Sequence, residues 1–437
     1  MESLLTDKQR SDLETSIFGY VSRLTNDEAL LSQLAAVLSQ PSGSEPVPAD
    51  TLKANALLLE KKWLSVIRLQ RKVMDLETRL EAAEREASST HKANGLGAGD
   101  PKTWLPKTSR FSLLHKQPVN AVSFHPFHST LASACEDGNI RIWDYELGEI
   151  ETTIKAHTRG VLDVDFSQPD TGASRDKSHD KPRADVSHAQ PRALLVSCSS
   201  DLTIRIWDPQ NEYANVKTLT GHDHTISAVK FTASGNHVIS ASRDKTVRVW
   251  SVQSGYCVRT VHGHTDWVKS CAALNEEFIF SAGIDHVTRV SEFVSGDGKM
   301  TLLGHEHVIE GVAVYPKSAA GCLAKLDKTS SYFVVSWSRD KTIRVWSSRG
   351  DPLLILRGHD NWVRGVVLHP AGRYLVSVSD DKTMRCWDLE QGGRCIRVVD
   401  AHGHFVTCVA WAPNDVNGRV RCLVATGGVD GQVKVWQ

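Results

Sequence analysis

The stretch Gly221-His-Asp-His-Thr-Ile-Ser-Ala-Val-Lys-Phe-Thr-Ala-Ser-Gly-Asn-His-Val-Ile-Ser-Ala-Ser-Arg-Asp-Lys-Thr-Val-Arg-Val-Trp250 sets three landmarks: His222, Asp244 placed 22 residues later, and Trp250 six residues beyond that. Between them lie short runs rich in β-branched residues, Ile226 to Phe231, His237 to Ser242 and Thr246 to Trp250, and a fourth follows from Cys257 to Val261. Alternating runs of this length read as strands. The landmarks recur. Trp143, Trp207, Trp346, Trp387 and Trp436 each follow an aspartate by six positions: Asp137, Asp201, Asp340, Asp381 and Asp430. A further unit keeps Asp285 but has Ser291 in the tryptophan position. Each aspartate has its histidine upstream: His115, His157, His222, His264, His305, His359 and His402.

Four strands per unit, a Gly-His near the start and Trp at the end of the third strand resemble the WD-repeat β-propeller. Seven units predict seven blades over residues 104–437. The sequence stops one residue after Trp436, so the last unit lacks its fourth strand. Arg110-Phe-Ser-Leu-Leu114 precedes the first histidine and has no blade of its own, so it is expected to complete the seventh blade and cover an exposed edge. Two units are stretched, by a polar insertion at Gln168 to Arg192 and by extra length around Lys317 to Ser331.

Residues 51–87 have a different period. Leu59, Val66, Leu69, Val73, Leu76, Leu80, Ala83 and Ala87 fall on four-three spacing, a heptad seam interrupted at Lys62. With Val66 at position a, Lys72 and Arg79 stand at g, and Glu77 and Glu84 at the following e, charges that suit a parallel dimer. A single amphipathic helix packed on the propeller is the other reading. Residues 7–39 carry Leu13, Ile17 and Tyr20 at helical spacing and are expected to form a small α-helical dimerisation module. Linkers follow each of these segments, a proline-stiffened one at 40–50 and a flexible one at 88–103.

Lys plus Arg and Asp plus Glu both number 51, so no global field favours nucleic acid. The N-terminus has no signal-peptide pattern, and no apolar run is long enough to span a bilayer, which predicts no membrane insertion. The nine cysteines include no C-x-x-C pair and read as reduced thiols. No phosphate-binding loop, complete zinc-protease motif or nucleophile elbow is present, so no catalytic residue, metal site or cofactor is expected. Histidine and aspartate in every unit could suggest acid-base dyads, but repetition favours a structural bond from the aspartate turn to the histidine loop. His157, Asp201, Trp207, His222, Asp244, Trp250, His359, Asp381 and Trp387 are assigned to that network.

Function should then lie on the rim that carries those loops. His224, Trp267, Trp362 and Phe405 follow the histidines, and Arg243 and Arg339 precede two of the aspartates. Aromatic and arginine side chains dominate protein-interface hot spots. Asp223, Asp266, Glu306, Asp360 and Glu136 interleave with them, a mixed surface that suits a protein partner better than nucleic acid.

The order of modules, with Leu59-Glu-Lys-Lys-Trp-Leu-Ser-Val-Ile-Arg-Leu-Gln70, Ser242-Arg-Asp-Lys-Thr246 and Gly358-His-Asp-Asn-Trp-Val-Arg-Gly365, closely resembles the lissencephaly/NudF family of dynein regulators, in its fungal branch. The resemblance implies a non-catalytic homodimer with a LisH motif at 7–39. It implies a cytoplasmic protein of the microtubule cytoskeleton and spindle pole, acting in nuclear migration, spindle positioning and minus-end-directed transport. Its implied partners are the cytoplasmic dynein heavy chain, a NudE-type coiled-coil protein and, through dynein, microtubules. It places dynein contacts at Arg243, Lys269, Arg339 and Trp362; Lys269 stands where relatives carry arginine. The competing reading is a WD-repeat scaffold for another complex, such as a ubiquitin ligase or a lipid-enzyme subunit.

Overall fold

A computed structural model describes residues 73–74, 108–168, 193–318, 320–370, 372–413 and 422–437. Seven four-stranded antiparallel sheets form the blades of a propeller. The first strand, β1 (Ser109–Leu114), belongs to no blade of its own, and blade 1 runs β2 (Val119–Phe124), β3 (Thr130–Cys135), β4 (Asn139–Asp144) and β5 (Glu149–Lys155). Blade 2 is β6 (Val161–Phe166), β7 (Leu195–Ser199), β8 (Thr203–Asp208) and β9 (Ala214–Thr220). Blade 3 is β10 (Ile226–Phe231), β11 (His237–Ser242), β12 (Val247–Ser251) and β13 (Cys257–Val261). Blade 4 is β14 (Val268–Leu274), β15 (Phe278–Gly283), β16 (Thr288–Glu292) and β17 (Gly298–Leu302). Blade 5 is β18 (Ile309–Pro316), β19 (Tyr332–Ser338), β20 (Thr342–Ser347) and β21 (Pro352–Arg357). Blade 6 is β22 (Val363–Leu368), β23 (Tyr374–Ser379), β24 (Thr383–Asp388) and β25 (Arg394–Asp400).

Blade 7 takes β26 (Val406–Trp411), β27 (Val424–Gly428) and β28 (Gln432–Trp436), and its fourth strand is β1 (Ser109–Leu114). Ser112 pairs with Lys434 and Leu114 with Gln432, so the segment expected to close the ring does so. Closure of this kind removes an edge that another chain could extend.

The second strand of each blade is buried along its whole length, as in Val238 to Ser242, because both of its faces lie between neighbouring blades. The core therefore lies in the seams. Trp250 of blade 3 packs with Val196, Ile206 and Leu219 of blade 2, and Trp346 of blade 5 with Phe280, Val290 and Leu302 of blade 4. The extra length in blade 5 folds into a turn with a short helix, α1 (Leu323–Leu326), which buries Ala320 and Leu323. The Cys322 amide donates to the Gly372 carbonyl at 3.2 Å, and Lys325 pairs with Glu390 at 3.1 Å, so this turn fastens blade 5 to blade 6. The insertion from 169 to 192 lies outside the described residues.

One irregularity repeats in all seven innermost strands. Each carries a bulge near its start, between Val119 and Ala121, Val161 and Asp163, Ile226 and Ala228, Val268 and Ser270, Ile309 and Gly311, Val363 and Gly365, and Val406 and Cys408. A bulge re-aims the extra side chain. The seven extra residues, Asn120, Leu162, Ser227, Lys269, Glu310, Arg364 and Thr407, all line the central cavity of about 800 Å³.

Of the N-terminal dimerisation residues, Leu13, Ile17, Tyr20, Val66, Leu69, Leu76 and Leu80 lie outside the described residues. Val73 is helical and exposed, as is Met74.

Candidate protein-docking site

The repeat histidines, aspartates and tryptophans meet around a buried hydroxyl. In blade 3 His222 Nδ1 donates to Asp244 at 2.6 Å, and Ser240 bridges His222 Nε2 at 2.7 Å and the Trp250 indole N–H at 2.8 Å. Blade 2 repeats this with His157, Asp201, Ser197 and Trp207, and blade 6 with His359, Asp381, Ser377 and Trp387. Blade 5 uses His305, Asp340, Ser336 and Trp346, and blade 7 substitutes Thr426 for the serine. Burial works to raise the pKa of Asp244, but the His222 and Thr246 donors outweigh it and hold the carboxyl below its ordinary range; Asp201, Asp340 and Asp381 behave alike.

The serine, histidine and aspartate form a hydrogen-bonded chain of the type used by serine hydrolases. Here the hydroxyls of Ser197, Ser240, Ser336 and Ser377 are wholly buried and already accept an indole N–H, so a substrate carbonyl has no approach to them.

Two blades depart. Blade 4 keeps His264, Asp285 and Ser281 but has Ser291 where the indole would stand. In blade 1 the expected histidine-aspartate bond is replaced: Asp137 pairs with Arg141 at 2.9 Å, and the same guanidinium abuts His115. Burial and Arg141 push His115 down to about 4. In blades 2, 3, 5 and 6 a threonine two residues after the aspartate donates its hydroxyl to that carboxylate, as Thr203 and Thr246 do, whereas blade 1 has Asn139. Blades 4 and 7 keep the histidine-aspartate bond with Val287 and Gln432 in the position two after the aspartate, so the threonine found there in other blades supports the bond without deciding it.

On the rim, the candidate residues fall into two groups and one outlier. The Arg243 guanidinium lies 4.8 Å from the Trp267 ring centre, and His224 lies 6.2 Å from the same ring. Trp267 is exposed. Arg339 lies 4.1 Å from the Trp362 ring centre and Arg364 lies 5.2 Å from it. Lys269 joins this second group through Glu310, whose Oε2 it approaches at 3.4 Å. Phe405 stands apart on blade 7, edge-on to His404 at 4.4 Å.

Sequence reasoning missed Glu310, Arg364 and Asp380. Glu310 touches Lys269, Arg339 and Arg364 together, and Arg364 also reaches Asp380 at 2.9 Å. Their signal was positional, since Lys269, Glu310 and Arg364 each stand five residues after a repeat histidine. Burial lowers the Lys269 pKa and Glu310 opposes it, while Arg339 and Arg364 lower it further; the net direction is down. Burial works to raise Glu310, but the three cations hold it below the ordinary carboxylate range.

The turn after the aspartate adds to the charge in three blades, while blades 2 and 4 place Leu202 and His286 there at φ 69 and 64°. Blades 1 and 7 place Gly138 and Gly431 there at positive φ, whereas blades 3, 5 and 6 place Lys245, Lys341 and Lys382 at φ near 70, 67 and 70°. A side chain in that conformation costs on the order of 1 kcal/mol relative to glycine.

With this geometry in view, the chain can be set beside known proteins. The WD domain, G-beta repeat family matches residues 108–144, 148–208, 214–251, 255–290, 296–347, 350–388 and 393–437. Nuclear distribution protein PAC1 of Ajellomyces capsulatus (strain H143) is 43% identical over 479 aligned residues, covering all of both chains. The chain belongs to the PAC1/nudF family of nuclear distribution proteins. PAC1 of Coccidioides posadasii (strain C735) is likewise 43% identical over 493 aligned residues, and nudF 1 of Talaromyces marneffei (strain ATCC 18224 / CBS 334.59 / QM 7333) is 42% identical over 482, each at full coverage of both chains. This PAC1/nudF chain is a seven-bladed WD-repeat protein, and the rim described above carries its arginine-indole contacts.

Among the described residues no group of three or more histidine, cysteine or acidic side chains is placed to hold a metal. No helix among them is long and apolar enough to cross a membrane. All nine cysteines are free, and burial pushes the Cys386 and Cys408 thiols up to about 12, away from reactive thiolate.

Proposed function

We propose that the protein is a non-catalytic homodimeric regulator of cytoplasmic dynein, acting in nuclear migration, spindle positioning and minus-end-directed transport. Its propeller rim docks on the dynein motor domain through Arg243, Lys269, Arg339 and Trp362, with Trp267 and His224 beside them and Phe405 at the margin. The observation that carries this reading is the gathering of cations and two indoles from blades 3 to 6 onto one arc, in a family whose members are named for nuclear distribution. Large aromatic and arginine side chains in that combination supply hot-spot energy, and the surrounding acids supply register.

The N-terminal helices and heptad seam bring two rims together through Leu13, Ile17, Tyr20, Val66, Leu69, Val73, Leu76 and Leu80. Two rims on one dimer raise apparent affinity when both reach dynein at once. Binding favours active dynein to the extent that the rim prefers that state over the self-inhibited one, and so prolongs attachment to microtubules. The same dimer engages a NudE-type coiled-coil partner in the cytoplasm.

Sedimentation of the full-length chain, alone and with purified dynein motor domain, tests this reading. A dimer that co-sediments with the motor domain is expected. A monomer would remove the two-rim mechanism, and a dimer indifferent to the motor domain would shift the weight to a WD-repeat scaffold for another complex.

A further inference from the structure

The bulge in each innermost strand delivers one side chain to the same layer of the central channel. In blades 7, 1, 2 and 3 that side chain is Thr407, Asn120, Leu162 and Ser227, neutral in every case. In blades 4, 5 and 6 it is Lys269, Glu310 and Arg364, a run of positive, negative and positive. Glu310 is thus the one acid of the layer, with a cation on each side. Arg339 reaches it from the aspartate turn of its own blade.

Both carboxylate oxygens are in use. Oε1 accepts from Arg339 Nε, and Oε2 faces Lys269 Nζ and Arg364 Nη1, each at 3.4 Å. The side chain of Glu310 is 7% exposed, against 22% for Lys269, 22% for Arg339 and 25% for Arg364. The cations are therefore partly exposed while the acid is buried beside them. Arg339 and Arg364 are also the two guanidiniums beside Trp362. Without the carboxylate, three positive charges would share a small, partly desolvated space with only Asp380, 2.9 Å from Arg364, to offset them, and would repel one another.

We infer that Glu310 is the positioning residue of the docking arc: from below the surface it fixes Lys269, Arg339 and Arg364 around Trp362 without itself touching the partner. This rests on the docking reading above and adds a claim about sign. By net charge alone, removing a carboxylate from a basic surface strengthens its hold on an acidic partner. By positioning, removal weakens that hold, because the cations lose the geometry in which they meet carboxylates and each must be ordered again on binding.

The test uses the full-length chain, purified dynein motor domain and two variants. Glu310→Gln removes the charge, whereas Glu310→Asp keeps it and shortens its reach, so a role in charge balance alone leaves the aspartate variant unaffected. Both variants are expected to lose about tenfold in affinity, chiefly through faster dissociation. On an Arg339→Ala, Arg364→Ala background, the further loss from Glu310→Gln is expected to shrink below about twofold, since residues that act through one another are not additive. A general structural defect would persist on that background.

A second readout does not involve dynein. Pulse labelling with an amine-acylating reagent, read by mass spectrometry, is expected to modify Lys269 several-fold faster in Glu310→Gln, because the lost carboxylate favours the neutral amine. Lys245 and Lys341 serve as internal standards. Parental affinity in Glu310→Asp, or an unchanged Lys269 labelling rate in Glu310→Gln, would overturn the positioning role while Arg243→Ala with Trp362→Ala still weakens docking. If that pair also binds normally, the docking reading itself has fallen and the positioning role falls with it.

Discussion

Two arcs of the same ring share a scaffold and differ in everything mounted on it. Across blades 7, 1 and 2 the bulge residues are Thr407, Asn120 and Leu162, and the residues before the repeat aspartates are Val429, Glu136 and Ser200. Across blades 3 to 6 the rim gathers Arg243, Lys269, Glu310, Arg339, Trp362 and Arg364. The histidine-aspartate-hydroxyl-tryptophan network nevertheless occurs in both arcs, in blades 2 and 7 as in blades 3, 5 and 6. The fold therefore does not require the charges and indoles of the second arc. What a fold does not require, and what raises repulsion, is best explained by recognition.

The largest expected effect belongs to the shared scaffold. Trp207→Ala in blade 2 and Trp387→Ala in blade 6 should each cost about 3–5 kcal/mol, because each empties a buried indole site and removes one of the two hydrogen bonds of a buried serine hydroxyl. Denaturant unfolding would show it. A difference between the two of more than about 2 kcal/mol would mean that one arc carries the fold and break the comparison.

One buried loop histidine in each arc should titrate alike. His125 beside blade 1 and His369 in blade 6 are both buried, and burial pushes each down to about 4. The unfolded chain then takes up protons first, so the stability due to each is complete above the ordinary histidine value of about 6.5 and is lost as pH falls toward 4. At pH 5 each should have lost about 2 kcal/mol, seen as a lower denaturant midpoint. His125→Gln and His369→Gln should each flatten that pH dependence by a similar amount.

A smaller effect separates neighbouring blades within the second arc. His222 in blade 3 bonds a serine that also holds Trp250, whereas His264 in blade 4 bonds Ser281, which has no indole donor because Ser291 stands in its place. His222→Ala should cost about 2 kcal/mol and His264→Ala about half of that. Equal costs would show that the indole does not reinforce the histidine bond. The smallest effect sharpens the boundary of the arc: Trp267→Ala should weaken docking about fivefold, near 1 kcal/mol, and Phe405→Ala less than twofold, measured by equilibrium binding to the motor domain.

Most of the fold was legible because the repeat is carried by rare residues at fixed spacing. Trp250 follows Asp244 by six positions for a geometric reason, since strand and turn must return the indole to the serine that His222 also holds. Blade closure was legible because Arg110 to Leu114 had no other place to pair. Arg243, Trp267, Arg339 and Trp362 were legible because they adjoin those landmarks. Glu310 was not. Its partners come from three blades, and only the bulge that turns it into the channel, invisible in a strand read by alternation, brings them together. The altered pairing of Asp137 in blade 1 was not legible either, because His115, Asp137 and Arg141 stand at the same repeat positions as in blades that keep the histidine-aspartate bond.

The central claim is that one arc recognises dynein and the other does not. Equilibrium binding of the motor domain to two full-length variants tests it directly: Arg243→Ala with Trp362→Ala in one arc, and Asn120→Ala with Leu162→Ala in the other. The account predicts a loss of about 100-fold, near 2.7 kcal/mol, for the first pair and less than about twofold for the second, with both proteins folded. Equal losses, or a loss confined to the second pair, would contradict it.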